Sequence, residues 1–329
     1  MIDFRYHLVS IIAVFLALAV GLAVGSTALT GTAEQALTAA QHRLTSQNKA
    51  LTKQNETLQK QVAGDQAFAS ANSARLLAGL LTGEHVVLIA APGADSTVTS
   101  GLTTALRESG ATVTGQVSLT SAFTTTSGQT EATLSQLAQN LADSAGLVLA
   151  PVPDSTVSGQ QQAAQVLAAG LVASSSVSLP AATSQAILTG LSRNGFISVD
   201  AGAPASVPAN LAVLVTPGGP PPQQSMSEVL MAVARELKSA GGATVMAGSV
   251  SSIGSGSVIS AENNAADAVS TVDNADTETG QILVVQALRF TLDGKHSAPY
   301  GAEPGAAPSP GPTPSVPATP KPSASAKGH

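Results

Sequence analysis

The chain has 329 residues, a formal net charge of −6 and an isoelectric point near 5.3, with 10% of its positions charged. There is no basic surface to displace counterions from a phosphate backbone, which excludes nucleic acid as a partner. The absence of cysteine excludes disulfides, thiolate metal sites, a cysteine nucleophile and a lipidated N-terminal Cys. Both ends are compositionally biased; setting them aside leaves about 230 residues, enough for one domain.

Residues 1–7 read as a short N-terminal tail. From Leu8 to Ala33 no residue is charged, and Leu8 to Gly25 is almost wholly apolar. Crossing a ~30 Å hydrocarbon core takes ~20 such residues, so a transmembrane helix is expected over 8–29. A cleaved signal sequence is the alternative. It would carry a shorter apolar region, about 7 to 15 residues, and a more basic start, and Ala23-Val24-Gly25 matches a cleavage site only weakly. Arg5 and His7 precede the span, and Glu34 is the first charge after it. The positive-inside rule then puts the N-terminus inside and the remainder outside, with the lipid bilayer as a partner. Ala13, Ala17, Gly21 and Gly25 recur every fourth residue along one face, where small side chains let a second helix approach closely. The plainer explanation is the frequency of Gly and Ala in membrane helices.

Over 33–63 the pattern changes to a coiled coil. Leu37, Leu44, Leu51 and Leu58 are seven residues apart in a stretch otherwise rich in Gln, Asn, Lys and Thr. With leucine at d, position a holds Glu34, Gln41, Asn48, Asn55 and Val62, and buried Asn48 and Asn55 would favour an in-register homo-oligomer. A single helix whose leucine stripe packs on the globular domain is the alternative. Gly64 with Asp65 reads as a break or bend.

Residues 74–301 read as a soluble α/β domain. Val86 to Ala91 is an apolar run too short for a helix, and Pro92, Gly93 and Asp95 lead into a helical pattern that stops at Gly110 before a strand over Ala111 to Val117. Strands follow at Gly146 to Ala150, Phe196 to Val199, Leu211 to Thr216 and Ala243 to Ala247. Helices are expected at Glu131 to Asp143, Gln160 to Ala173, Ala181 to Arg193, Ser225 to Ala240 and Gln281 to Leu292. Such alternation predicts a parallel sheet of βαβ units with helices on both faces. From 302 to 329, eight prolines among 28 residues predict a disordered, extended tail.

Ligands of open α/β sheets bind at the carboxyl ends of strands, here the loops Ala91 to Ser96, Thr216 to Ser225 and Gly248 to Ser257. None matches a dinucleotide fingerprint or a P-loop, and the chain has no GxSxG elbow and no HExxH helix. No catalytic residues, and hence no enzyme activity, are assigned. Asp267, Asp273, Asp276 and Glu278 offer oxygen ligands without EF-hand spacing and read as a solvated loop. His7, His42, His85, His296 and His329 are far apart in sequence, and Met226 and Met231 fall in the wrong register for joint ligation. Metal ligands are therefore not identified, and no bound cofactor is expected.

The start, MIDFRYHLVSIIAVFLALAVGLAVGS, and the end of the domain, STVDNADTETGQILVVQALRFTLDGKHSAPYG, resemble the copper-transport outer-membrane protein family called MctB, known from mycobacteria and other actinobacteria. The resemblance spans residues 1 to 301. It implies an envelope protein that forms a channel as an oligomer and helps to export copper, with copper as the transported solute. A single helix encloses no pore, and the chain lacks the alternating strands and aromatic girdles of a membrane β-barrel. The residues alone therefore also fit a membrane-anchored scaffold or binding module without transport activity.

Overall fold

The structure is a computed structural model that describes residues 4–152, 157–173, 178–200, 207–219, 222–254, 256–265 and 267–309, the side chains of 4, 5 and 26–34 excepted. The chain divides into two units, 1–65 and 66–329.

The first unit is helical. Helix α1 (Phe4–Leu77) contains the apolar stretch Tyr6–Gly25, with mean hydropathy 2.7 and no residue buried, the one candidate membrane span among the described residues. Beyond it Leu37, Leu44, Leu51 and Leu58 are exposed, to 65, 60, 58 and 49%. The break expected at Gly64 is not present. Helix α1 continues through it, because Ala63 and Gln66 to Ala67 are sound helix formers and one glycine weakens a helix by only ~1 kcal/mol.

The second unit begins within α1, where Ala69 and Leu77 are buried. Strand β1 (His85–Ala90) leads to α2 (Ser96–Glu108) and β2 (Thr112–Leu119). Asp95 caps α2 by accepting from Thr97 N at 2.8 Å. At the other end Gly110, with φ +86°, allows Ala111 N to donate to Leu106 O and Gly110 N to Arg107 O, satisfying two orphan carbonyls as the chain turns into β2.

Four helices follow on one face: α3 (Ser121–Thr124), α4 (Gly128–Ala145), α5 (Ser158–Leu171) and α6 (Ala181–Arg193). The rest of the order is β3 (Ile197–Val199), β4 (Leu211–Val215), α7 (Gln224–Ser239), β5 (Ala243–Ala247), α8 (Val258–Asn263), β6 (Ser270–Val272), α9 (Glu278–Leu292) and β7 (Pro299–Tyr300). The sheet runs β3-β2-β1-β4-β5-β6-β7. Side chains alternate across it. Val87, Ile89, Ala212 and Leu214 pack under α4, α5 and α7, whereas Val86, Leu88, Val213 and Val215 pack under α2 and α9. All five residues of β4 are buried, as a strand covered on both faces requires.

Three expectations are corrected. The sheet is mixed, because β3 pairs antiparallel with β2. The excursion through α4 to α6 returns the chain at the carboxyl end of β2, where Thr120 N donates to Phe196 O, and from there it can only run back down. Residues 146–150 form no strand. Val148 is 98% exposed, and Gln165 instead bonds both Ala150 N and Ala150 O. Finally, the chain does not leave the domain at 302. Ala302 N and Glu303 N donate to Asp273, and Ala307 N donates to Pro299 O beside β7. The remainder of the proline-rich segment, 310–329, lies outside the described residues.

Candidate functional site

The strand order reverses between β1 and β4, so the three loops singled out in the sequence meet at one switch point. Their first residues step across the sheet. Ala91 N donates to Val215 O at 2.9 Å, Thr216 N to Ala247 O at 2.8 Å and Gly248 N to Val272 O at 2.7 Å. Farther out, Gly218 N donates to Gly93 O at 3.2 Å and Gly219 N to Ser251 Oγ at 3.2 Å, while Ser249 Oγ and Ser251 Oγ are 2.7 Å apart. Val250 N is taken by Asp276 Oδ1 at 2.9 Å. These amides and hydroxyls bond one another, and the floor is filled as well: a Cβ on Gly248 would lie 2.9 to 3.0 Å from Ile259, Ser252 and Thr216. The loops form a closed rim of glycine and serine.

Beside this rim an open groove of about 510 Å³ runs between the end of α1, α2 and the start of α9, lined among others by Ser73, Thr97, Glu108, Asp276, Glu278 and Gln281. Its charge is acidic. Ser73 Oγ donates to Glu108 Oε2 at 3.0 Å, and Glu278 N donates to Gln66 Oε1 at 3.0 Å. At its margin the Thr97 hydroxyl and backbone N–H, both donating to Asp95, hold that carboxyl below its ordinary range. A second groove, about 330 Å³, opens at the amino end of β6 and holds Lys238, Asp267 and His296. There Lys238 Nζ is directed to the carbonyls of Ala268 at 3.1 Å and Asp267 at 3.5 Å.

The acidic residues of the sequence separate into different roles. Asp273 is 1% exposed and accepts from Ala302 N at 2.7 Å and Glu303 N at 2.6 Å, so it is a buried staple for the chain end and not part of a solvated loop. Asp276 ties the β5 and β6 loops, Glu278 opens α9, and Asp267 contributes its carbonyl to Lys238. Among the described residues no three His, Asp or Glu side chains gather as a metal site. His42 and His296 are exposed, and His85 is half-buried with Nδ1 lacking a partner. Met246 is buried in β5, and Met226 and Met231 pack against the core from α7.

The sequence reading missed a half-buried ion pair, Arg235 Nη2 to Glu262 Oε2 at 2.9 Å, in which Glu262 is 0% exposed and also accepts from Val269 N at 2.8 Å while the Arg235 side chain is 37% exposed. Only its 27-residue separation is written in the sequence, and nothing marks it as a pair. In the span, Ala13, Ala17 and Gly21 line one shallow apolar groove with Leu16, Val20 and Val24, and neither Gly21 nor Gly25 has a neighbour that a Cβ would meet. Asn48 and Asn55 share the exposed face of the four leucines.

Fold and site together define an α/β protein with a doubly wound, largely parallel sheet and an N-terminal candidate membrane helix. The chain belongs to the family described as copper transport outer membrane protein, MctB, whose model matches residues 1–310. It is 32% identical over 323 residues to the copper transporter MctB of Mycobacterium leprae, covering 93% of this chain and 98% of that protein. To the copper transporters MctB of Mycobacterium bovis and Mycobacterium tuberculosis it is 29% identical over 314 residues, with the same coverage. The resemblance carried by residues 1–26 and 270–301 and expected over 1–301 is matched by the family model over 1–310.

Proposed function

We propose that this protein is a component of copper efflux in the cell envelope, held by its N-terminal helix with the N-terminus inside and the α/β domain outside, and conducting as an oligomer. The observation that carries the reading is family membership over 310 residues, anchor and domain alike, among relatives named as copper transporters. Copper is cargo here and not a cofactor: among the described residues the imidazoles and thioethers are distributed over α1, β1, α7, β5 and the segment before β7. An oligomer is required because one helix cannot enclose a path through lipid. Deleting the gene should raise cell-associated copper and lower copper tolerance, with both restored by the full chain. Unchanged copper content and tolerance would reject the reading.

A second reading, a tethered scaffold without transport, is favoured by the switch-point loops, whose polar groups bond one another. It predicts that proximity labelling from the α/β domain recovers envelope proteins. Labelling indistinguishable from that of a membrane-only control would remove it.

A further inference from the structure

The helix between Leu37 and Val62 carries an apolar stripe that this chain leaves uncovered, and its flanks say what covers it. With leucine at d, every e and g position from Leu37 to Val62 is uncharged; Thr45, Thr52 and Gln59 occupy e, and Gln47, Gln54 and Gln61 occupy g. The charged residues of the same stretch, Arg43, Lys49, Lys53, Glu56 and Lys60, all fall at b, c or f, on the opposite side. Coiled coils that choose a different partner do so with complementary charges at e and g, and like charges there would repel an identical copy. A neutral pair of flanks is compatible with the same sequence across the seam. Thr52 is adapted to such a flank, since its hydroxyl donates to Asn48 O at 2.9 Å and its polar group is already satisfied.

We propose that residues 37–62 of α1 form a parallel, in-register, two-stranded coiled coil with a second copy of this chain. The a positions set the geometry. An Asn amide has both donors and an acceptor and can bond its own copy, so Asn48 and Asn55 are satisfied when each faces itself. In an antiparallel pair, a layers face d layers, and both amides would be buried against leucine. In a parallel pair slipped by one heptad, Asn55 would face Val62 and lose its partner, at the expense that any unpaired buried polar group carries. Asn at a also selects two strands over three. A lone helix this polar is marginal in water, which gives the exposed leucine stripe a reason to be covered.

The pairing rests on the tethered reading above for the shared direction of the two chains; cross-linking reports the pairing and cell copper reports transport, so each fails separately. The chain has no cysteine, so one introduced thiol reports cleanly. In membranes containing the full chain, diamide should convert Asn55→Cys to a covalent dimer and leave Lys53→Cys, at f, monomeric. The doubly substituted Leu44→Asp, Leu51→Asp background should abolish the Asn55→Cys product while the thermal transition of the α/β domain stays in place. The detergent-solubilised wild-type chain should have the mass of two copies or of a multiple of two. Equal cross-linking at Asn55→Cys and Lys53→Cys, none at either, or a mass of one or three copies would overturn the proposal.

Discussion

Leucine has opposite fates in the two units. Leu88 and Leu214 in the sheet are fully buried, whereas Leu37, Leu44, Leu51 and Leu58 in α1 are 49 to 65% exposed. The domain leucines find their neighbours within one chain, brought together by crossovers that fold two layers of helix onto a sheet. The leucines of α1 lie on a single helix, and in the pairing proposed above a second copy would cover them. One kind of residue therefore builds the core in one region and lies on the surface in the other.

Glycine shows the same contrast most strongly. A Cβ on Gly280 would overlap the Asn274 carbonyl, where the turn after β6 presses against the first turn of α9, while a Cβ on Gly64 would meet nothing within 4 Å. Gly280→Ala should lower the unfolding free energy of the domain by about 3 kcal/mol or more, because backbone and not a movable side chain must give way. Urea unfolding followed by near-ultraviolet absorbance of the tyrosines would measure it, and a midpoint equal to wild type would refute the close approach. Next in size is Leu88→Ala, expected to lose about 2 to 5 kcal/mol by the same measurement, as core truncations do. Leu51→Ala should leave that transition within ~0.5 kcal/mol, the usual range for surface positions. If both leucine variants moved the domain equally, the division between the regions would be wrong.

Gly64→Ala should act in the opposite direction from its counterpart at 280, raising helix stability by about 0.5 to 1 kcal/mol, since alanine is the better helix former and has open space there. Helical circular dichroism of the full chain during heating would show later melting; earlier melting would indicate a conformational need for Gly64. The smallest effect concerns pH. Asp95 has its pKa lowered in the fold by the Thr97 hydroxyl and N–H. A depressed carboxyl contributes stability above its unfolded pKa, about 3.9, and loses it as pH falls through the folded value. Wild type should therefore lose stability below about pH 4 slightly faster than Asp95→Asn, and identical acid limbs would remove the cap's contribution.

Much of the sheet was legible because its central strands are unambiguous. Val86 to Ala90 and Leu211 to Val215 are continuous apolar runs, and glycines mark the ends of the helices around them. The edges were not. Ser270-Thr271-Val272 is a strand of which two residues are polar yet buried, with Thr271 Oγ1 donating to Asn263 Oδ1 at 2.5 Å, and no periodicity announces three residues. Gly146 to Ala150 misled in the opposite sense, since apolar composition without a free sheet edge beside it makes no strand. The three loops at the carboxyl ends of the strands were placed correctly by the rule for open sheets, but their mutual hydrogen bonding depends on contacts between residues far apart in the chain. Asp273 was misread for a related reason: its donors, at 302 and 303, lie in a segment whose composition points to disorder.

That last contact bears on how the protein can be shortened. A stop codon placed at 301 would strip Asp273 of both N–H donors and leave a buried carboxyl group without those partners, so the product should misfold although every helix and strand of the sheet is encoded. Ending after Ser309 keeps the donors and also the contact of Ser309 Oγ with Gln286 Oε1 at 3.4 Å. The minimal folding fragment is thus set by a single carboxylate reaching past the last strand.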